Sequence, residues 1–142
     1  MNDDNLKIAQ DSLINRGANF AQRVAVLSSL ISESGGETKE HGNGAVGLVG
    51  WRGDRAKNLP KTLSGQLHHL MSELFDNSSG TNWHHGGTGS GVNTAKEMYG
   101  LFNSTENINQ ATAAITRGYV RPEEHERDRR KRLSQIIKNY MK

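Results

Sequence analysis

Residues 25–51 read "AVLSSLISESGGETKEHGNGAVGLVGW". An apolar run that starts upstream, near Phe20, ends in a single carboxylate, Glu33, and passes at once into glycine. Phe20, Val24, Leu27 and Ile31 share one helical face at spacings of four and three. Val26 and Leu30 lie on a second face, which Glu33 continues. A helix that is apolar on two faces belongs in the middle of a domain, so residues 18–34 are read as a buried central helix stopped by Gly35–Gly36. The C-terminal end of a helix carries partial negative charge, which disfavours an ionised carboxylate there. Burial against Val26, Leu30 and the following loop would disfavour the charged form further. A carboxyl group in such a place is expected to keep its proton and to be able to donate it to a leaving oxygen. Glycosidic oxygens need such a donor, and the adjoining glycine-rich stretch offers an open wall on which a sugar chain could lie.

Working outward, the same periodicity places a helix over residues 4–16, with Leu6, Ala9, Leu13 and Ile14 on one stripe and Gly17 as its stop. Seven of the sixteen glycines fall in 35–53. There "GAVGLVGW" sets β-forming residues between glycines, which suggests a small twisted hairpin, and "RGDRAKNL" suggests a short helix closed by Pro60. Thr62 or Ser64 caps a helix running to Phe75, its apolar stripe Leu63, Leu67, Leu70, Met71 and Leu74. Residues 76–93 form a long glycine- and serine-rich loop carrying Trp83, His84 and His85; loops of that length in a compact domain tend to be functional or mobile. Further helices are expected over 94–102, from Ser104 to about Gly118, and from Pro122 onward with Leu133, Ile136, Ile137 and Tyr140 buried. The expectation is an α+β, mostly α, single domain over 1–142: five or six helices with a small β-hairpin beside the cleft.

The composition excludes several functions. With no cysteine there is no disulfide, no thiol chemistry and no cysteine-based zinc site. No stretch approaches the ~18–20 apolar residues of a membrane span, and "MNDDNLKIAQ" lacks the basic-then-apolar pattern of a signal peptide. His68–His69 and His84–His85 are adjacent pairs, and neighbours on a helix diverge by roughly 100°, so His68 and His69 do not chelate; no metal or other cofactor is expected. The formal charge of +3 is uneven, because residues 118–142 hold eight Lys/Arg against four acids. Glu123–Arg127, Glu126–Arg130 and Asp128–Arg132 pair at i,i+4, the pattern of a self-paired solvated helix face, with attraction to anionic wall polymers as the functional alternative. No nucleic-acid motif accompanies the basic run, so no nucleic-acid partner is expected. "RGD" at 52–54 is incidental to the loop exit.

"ISESGG" followed by "GAVGLVGWRGDR" resembles the phage tail lysozyme family, within the lysozyme-like superfamily that includes goose-type lysozymes and lytic transglycosylases. The family pattern runs Gly-Leu/Ile-x-Gln-Trp-x-x-x-Arg, here Gly47, Leu48, Val49, Gly50, Trp51 and Arg55. It continues with Gln-x-x-x-Leu-x-x-Glu-Leu, here Gln66, Leu70, Glu73 and Leu74, and with Tyr-x-Arg-Pro, here Tyr119, Arg121 and Pro122. The resemblance covers about residue 20 to the C-terminus. Two departures stand out: the glutamine usual before the tryptophan is Gly50, and the "WHHGGTGSG" loop is longer and richer in glycine. The resemblance implies a muramidase cleaving the β-1,4 bond between N-acetylmuramic acid and N-acetylglucosamine, with Glu33 as general acid and Tyr119 close enough to orient it. Trp51 is read as a core aromatic. Glu40 is the first candidate for a second carboxylate, ahead of Glu37 and Asp54; Asn43, Trp83, His84 and Tyr119 are assigned to substrate binding, with decoration of a mobile loop as the alternative for Trp83 and His84. If no second carboxylate reaches the cleft, Glu33 acts alone and the reaction is lytic transglycosylation. A wall-binding or tail structural protein that kept the fold and lost turnover is the non-enzymatic alternative. The partners implied are peptidoglycan glycan strands, with a phage tail or holin-type partner for delivery. The implied location is synthesis in a host cytoplasm and action on the cell wall, on a virion or after release at lysis.

Overall fold

The computed structural model describes residues 1–42, 44–87 and 89–120. Asn43 and the expected C-terminal helix from Pro122, with its buried stripe and its i,i+4 pairs, lie outside the described residues.

Five α-helices occur among the described residues: α1 Asp3–Arg16, α2 Phe20–Glu33, α3 Leu63–Phe75, α4 Ala95–Ser104 and α5 Ile108–Ile115. A 3₁₀ turn, Gly53–Ala56, lies between α2 and α3, and a wider π-type turn, Thr116–Val120, continues α5. Each helix begins where a small polar side chain accepts a hydrogen bond from the first turn. Asn2, Asn19, Thr62, Thr94 and Asn107 do so, each bonding the N–H three residues on. At Asn19 the arrangement is reciprocal: Gln22 N–H donates to Asn19 Oδ1, and Asn19 N–H donates to Gln22 Oε1, both at 2.9 Å. α1 stops at Gly17, whose φ of 88° only glycine adopts freely.

α2 is the core. Ala21, Gln22 and every residue from Val24 to Leu30 are buried, because α5 packs along it on one side and α1 on another. Each large aliphatic side chain taken from water here contributes about 1.5–3 kcal/mol. Ser28 and Ser29 are tolerated inside because their hydroxyls donate to Val24 and Ala25 carbonyls one turn back. Gln22 is tolerated because its side-chain amide donates to the Phe102 carbonyl at the end of α4.

Two expectations are corrected. The small β-hairpin is not formed: among the described residues there is no strand, only two isolated antiparallel bridges, Glu40 with Val46 and Val46 with Trp51. Gly42, Gly44, Gly47 and Gly50 all have positive φ, and a backbone that turns this often cannot extend a ladder. α5 is capped by Asn107 and not by Ser104, because Ser104 is the last residue of α4 and the Asn107 side chain accepts from the Gln110 N–H.

Candidate active site

Glu33 is the last residue of α2 and is half-buried. The next residue fixes the chain beyond it. Ser34 Oγ–H reaches the Leu48 carbonyl at 2.7 Å and lies 3.1 Å from the Leu30 carbonyl, while its oxygen accepts from Gly36 N–H at 3.1 Å. One hydroxyl therefore ties the end of α2 to the glycine-rich loop 14 residues later. The N-terminus clamps the same turn from the other side. Asn2 N–H donates to the Gly35 carbonyl at 2.7 Å, Asn5 Nδ2 donates to the Gly36 carbonyl at 2.9 Å, and Leu6 packs on Gly36.

The glycine-rich loop is held by Gln66, a fully buried polar residue on α3. Its Oε1 accepts from Leu48 N–H at 3.1 Å, and its Nε2 donates to the carbonyls of Thr38 and Pro60 at 2.8 and 2.9 Å. Val46 and Trp51 exchange both backbone hydrogen bonds at 2.9 Å, closing a turn in which Gly50 N–H donates to the Gly47 carbonyl. This turn brings Gly50 against Glu33, close enough that a β-carbon at residue 50 would lie 2.9 Å from Glu33 Oε2. His41 Nε2–H donates to the Gly47 carbonyl at 2.8 Å and braces the loop from outside.

Behind the loop lies a buried polar cluster. Trp51 is buried, as expected of a core aromatic; its Nε1–H donates to Glu73 Oε1 at 3.1 Å and to the Tyr119 hydroxyl oxygen at 3.2 Å. The Tyr119 hydroxyl donates to Glu73 Oε1 at 2.6 Å. His69 Nε2 stands 3.4 Å from the same oxygen, an ion-pair distance when the imidazole is protonated and longer than a good hydrogen bond. Arg55 lies over the Tyr119 ring, 4.8 Å from its centroid, and donates to the Tyr119 carbonyl at 2.8 Å. Burial, and then the neighbouring Glu73 carboxylate, push the Tyr119 phenol well above its usual pKa, with the Arg55 charge opposing. The phenol is therefore a neutral hydrogen-bond donor.

The residues proposed from sequence separate into two groups. The hydroxyl of Tyr119, expected to orient Glu33, is committed to Glu73, and the ring is wholly buried. Trp83, expected in the groove, is also a core residue. Its Nε1–H donates to the Glu73 carbonyl at 2.9 Å, and its ring packs on Tyr99, Phe102 and Tyr119. It anchors the middle of the long loop. The other group reaches solvent. His84 is half-buried and stacked on His85 at 4.1 Å, its Nδ1 accepts from Gly86 N–H, and its own backbone N–H donates to the Gly118 carbonyl. Glu40 is exposed and borders a surface depression of about 620 Å³ that Lys39, Asn58 and Lys61 also line. Glu37 is half-buried and Asp54 exposed. No group of three His, Asp or Glu side chains placed to hold a metal occurs among the described residues.

Ser34, Gln66 and Glu73 were not singled out for the work they do here. A signal for two of them was present: Gln66 and Glu73 fall on the apolar stripe of α3 beside Leu67, Leu70 and Leu74, and a polar residue on a buried stripe must be bonded to something.

The helix-end glutamate, the glycine turn against it and the buried Gln-Glu helix behind it follow one another in chain order. The sequence profile of the phage tail lysozyme family matches residues 4–141. The chain belongs to the phage tail lysozyme family. The match starts 16 residues earlier than the motifs alone indicate, so α1, which clamps the turn after Glu33, belongs to the family domain. Neither the curated proteins nor the solved structures gave a match. Membership in a phage lysozyme family supports a lytic, lysozyme-like action on peptidoglycan. Among the described residues, no helix is long and apolar enough to cross a membrane.

Proposed function

We propose that this phage tail lysozyme domain is a muramidase that cleaves the β-1,4 bond between N-acetylmuramic acid and N-acetylglucosamine, with Glu33 as general acid. The observation that carries the reading is the setting of Glu33. It closes the most buried helix of the domain, is itself half-buried, and rests against a turn that Ser34, Gln66 and Trp51 hold in place. A carboxyl group fixed this way can meet a glycosidic oxygen without first reorganising, and proton donation to that oxygen is what the departing sugar requires. Glu40, exposed on the same loop, is the candidate to activate water or face the oxocarbenium-like carbon; Asn43 and His84 are assigned to the sugar. Trp83 and Tyr119 support the loop and the cluster from below, which moves their contribution to substrate binding from contact to support. Glycan strands are the substrate, and delivery falls to a phage tail or a holin-type pore.

A second reading, lytic transglycosylation, is favoured by the exposure of Glu40. Should that carboxylate stay in solvent, Glu33 acts first as acid and then as base, and the substrate's own 6-hydroxyl closes an anhydro ring. One digestion tests both. Purified peptidoglycan is incubated with the wild type and with Glu33→Gln, and the fragments are analysed by mass. The wild type is expected to release fragments and the variant to lose about a hundredfold or more in rate, the scale of an acid–base contribution. Equal release by the two proteins removes Glu33 from the chemistry. Reducing ends identify hydrolysis, anhydro ends transglycosylation. Intact glycan with retained wall binding would leave a binding module.

A further inference from the structure

Gly50 has a φ of 66°, in the left-handed region that L side chains avoid, and it closes the turn that begins at Gly47. A β-carbon built on it would stand 2.9 Å from Glu33 Oε2 and 3.8 Å from the Ala45 β-carbon. Carbon and oxygen in van der Waals contact need more room than that, so in this chain the Glu33 carboxylate fills the space that a side chain at residue 50 would take. The turn has little freedom to retreat. Leu48 is bonded on both sides, its N–H to Gln66 and its carbonyl to Ser34. Trp51 is paired in both directions with Val46, and its indole is fastened in the buried cluster. The atom met, Glu33 Oε2, is the far end of a long side chain whose backbone is held, so the carboxylate is what shifts when a β-carbon is added.

We infer that Gly50 is a positioning residue for Glu33: its bare backbone sets where the carboxylate rests, and any side chain at residue 50 turns that carboxylate away from its working position. The kinetic part rests on the muramidase reading; the contact itself does not. Gly50→Gln lowers activity in this chain, because the glutamine β-carbon meets Glu33 Oε2 whatever its amide does.

The test compares Gly50→Ala, Gly50→Asn and Gly50→Gln with Gly53→Ala. Gly53 has a φ of 56°, close to that of Gly50, and nothing lies within 4 Å of a β-carbon built there, so its variant carries the backbone strain without the contact. Asparagine tolerates the left-handed region best among residues with a β-carbon, so Gly50→Asn keeps the test open if Gly50→Ala does not fold. Two readouts are taken. On peptidoglycan, the Gly50 variants are expected to lose about 10- to 100-fold in kcat with KM changed less than about twofold, the scale of a misplaced catalytic group, while Gly53→Ala keeps its kcat. In ¹³C spectra, the Glu33 side-chain carboxyl resonance, assigned by its absence in Glu33→Gln, is expected to move in Gly50→Asn and to stay in Gly53→Ala. An unmoved Glu33 resonance in a folded Gly50 variant overturns the inference, as does wild-type kcat in Gly50→Gln. If the wild type does not cut glycan at all, the muramidase reading fails, and the resonance alone still decides the contact.

Discussion

Replacing Gln66 by leucine tests how the glycine-rich loop is held. The two side chains are similar in size, so the change removes polar atoms with little change of volume, at a residue with no exposed surface. The Leu48 N–H is buried and bonds Gln66 Oε1; left without a partner it costs about 1–3 kcal/mol. The carbonyls of Thr38 and Pro60 are partly buried, and each loses a bond worth about 0.5–1.5 kcal/mol. Leucine returns about 1–2 kcal/mol by burying apolar atoms. The expected net loss is about 3 kcal/mol, a large part of the ~5–15 kcal/mol typical of a domain and about 10 °C in Tm for a chain of this size. Urea unfolding followed by tryptophan fluorescence measures it, because both tryptophans, Trp51 and Trp83, are buried. The midpoint should fall with the slope m unchanged. Activity measured well below the new Tm should fall as well, since the turn carrying Gly50 loses its Leu48–Gln66 bond. A loss below about 1 kcal/mol would show that Gln66 does not hold the loop and does not help to position Glu33.

Two further outcomes follow from the cluster and the loop. Tyr119 has a folded-state pKa raised above its unfolded value of about 10, so the folded state holds its proton more tightly and the contribution is complete below pH 10. Above that pH the unfolded chain releases the proton first, and the contribution falls by about 1.4 kcal/mol per pH unit until the folded phenol titrates. The stability gap between the wild type and Tyr119→Phe is therefore expected to narrow between pH 10 and 11 in urea titrations; a constant gap contradicts the raised pKa. Glu40→Gln is expected to slow glycan hydrolysis while leaving the urea midpoint in place, because the side chain is exposed; full activity removes Glu40 from the mechanism.

The central helix and its stop were legible because the information is local. A 3.6-residue apolar period, a capping residue and a glycine pair act within a few residues of one another, and Phe20–Glu33 formed almost where the pattern placed it. The start of α5 was misplaced for an equally local reason: Ser104 and Asn107 can both cap, and the choice fell to where α4 ended. The β-forming residues at 45–51 favour a hairpin, but the glycines among them take left-handed φ values that break the ladder. Trp83 sits in a long glycine-rich loop, which points it to the groove. Loop membership says nothing of burial, and its indole found the Glu73 carbonyl ten residues back.

The sequence by itself determined the described helices apart from the start of α5, the family, and the singular place of Glu33 at the end of the most apolar segment, since periodicity, capping and ordered motifs are properties of the chain read in one direction. Only the tertiary structure decided that Tyr119 bonds Glu73, that Gln66 carries the loop, and that Gly50 lies against the candidate acid. Those contacts join residues 17 to 46 apart in the chain. A residue's chemistry states that it needs a partner, and which partner it gets depends on how the helices pack.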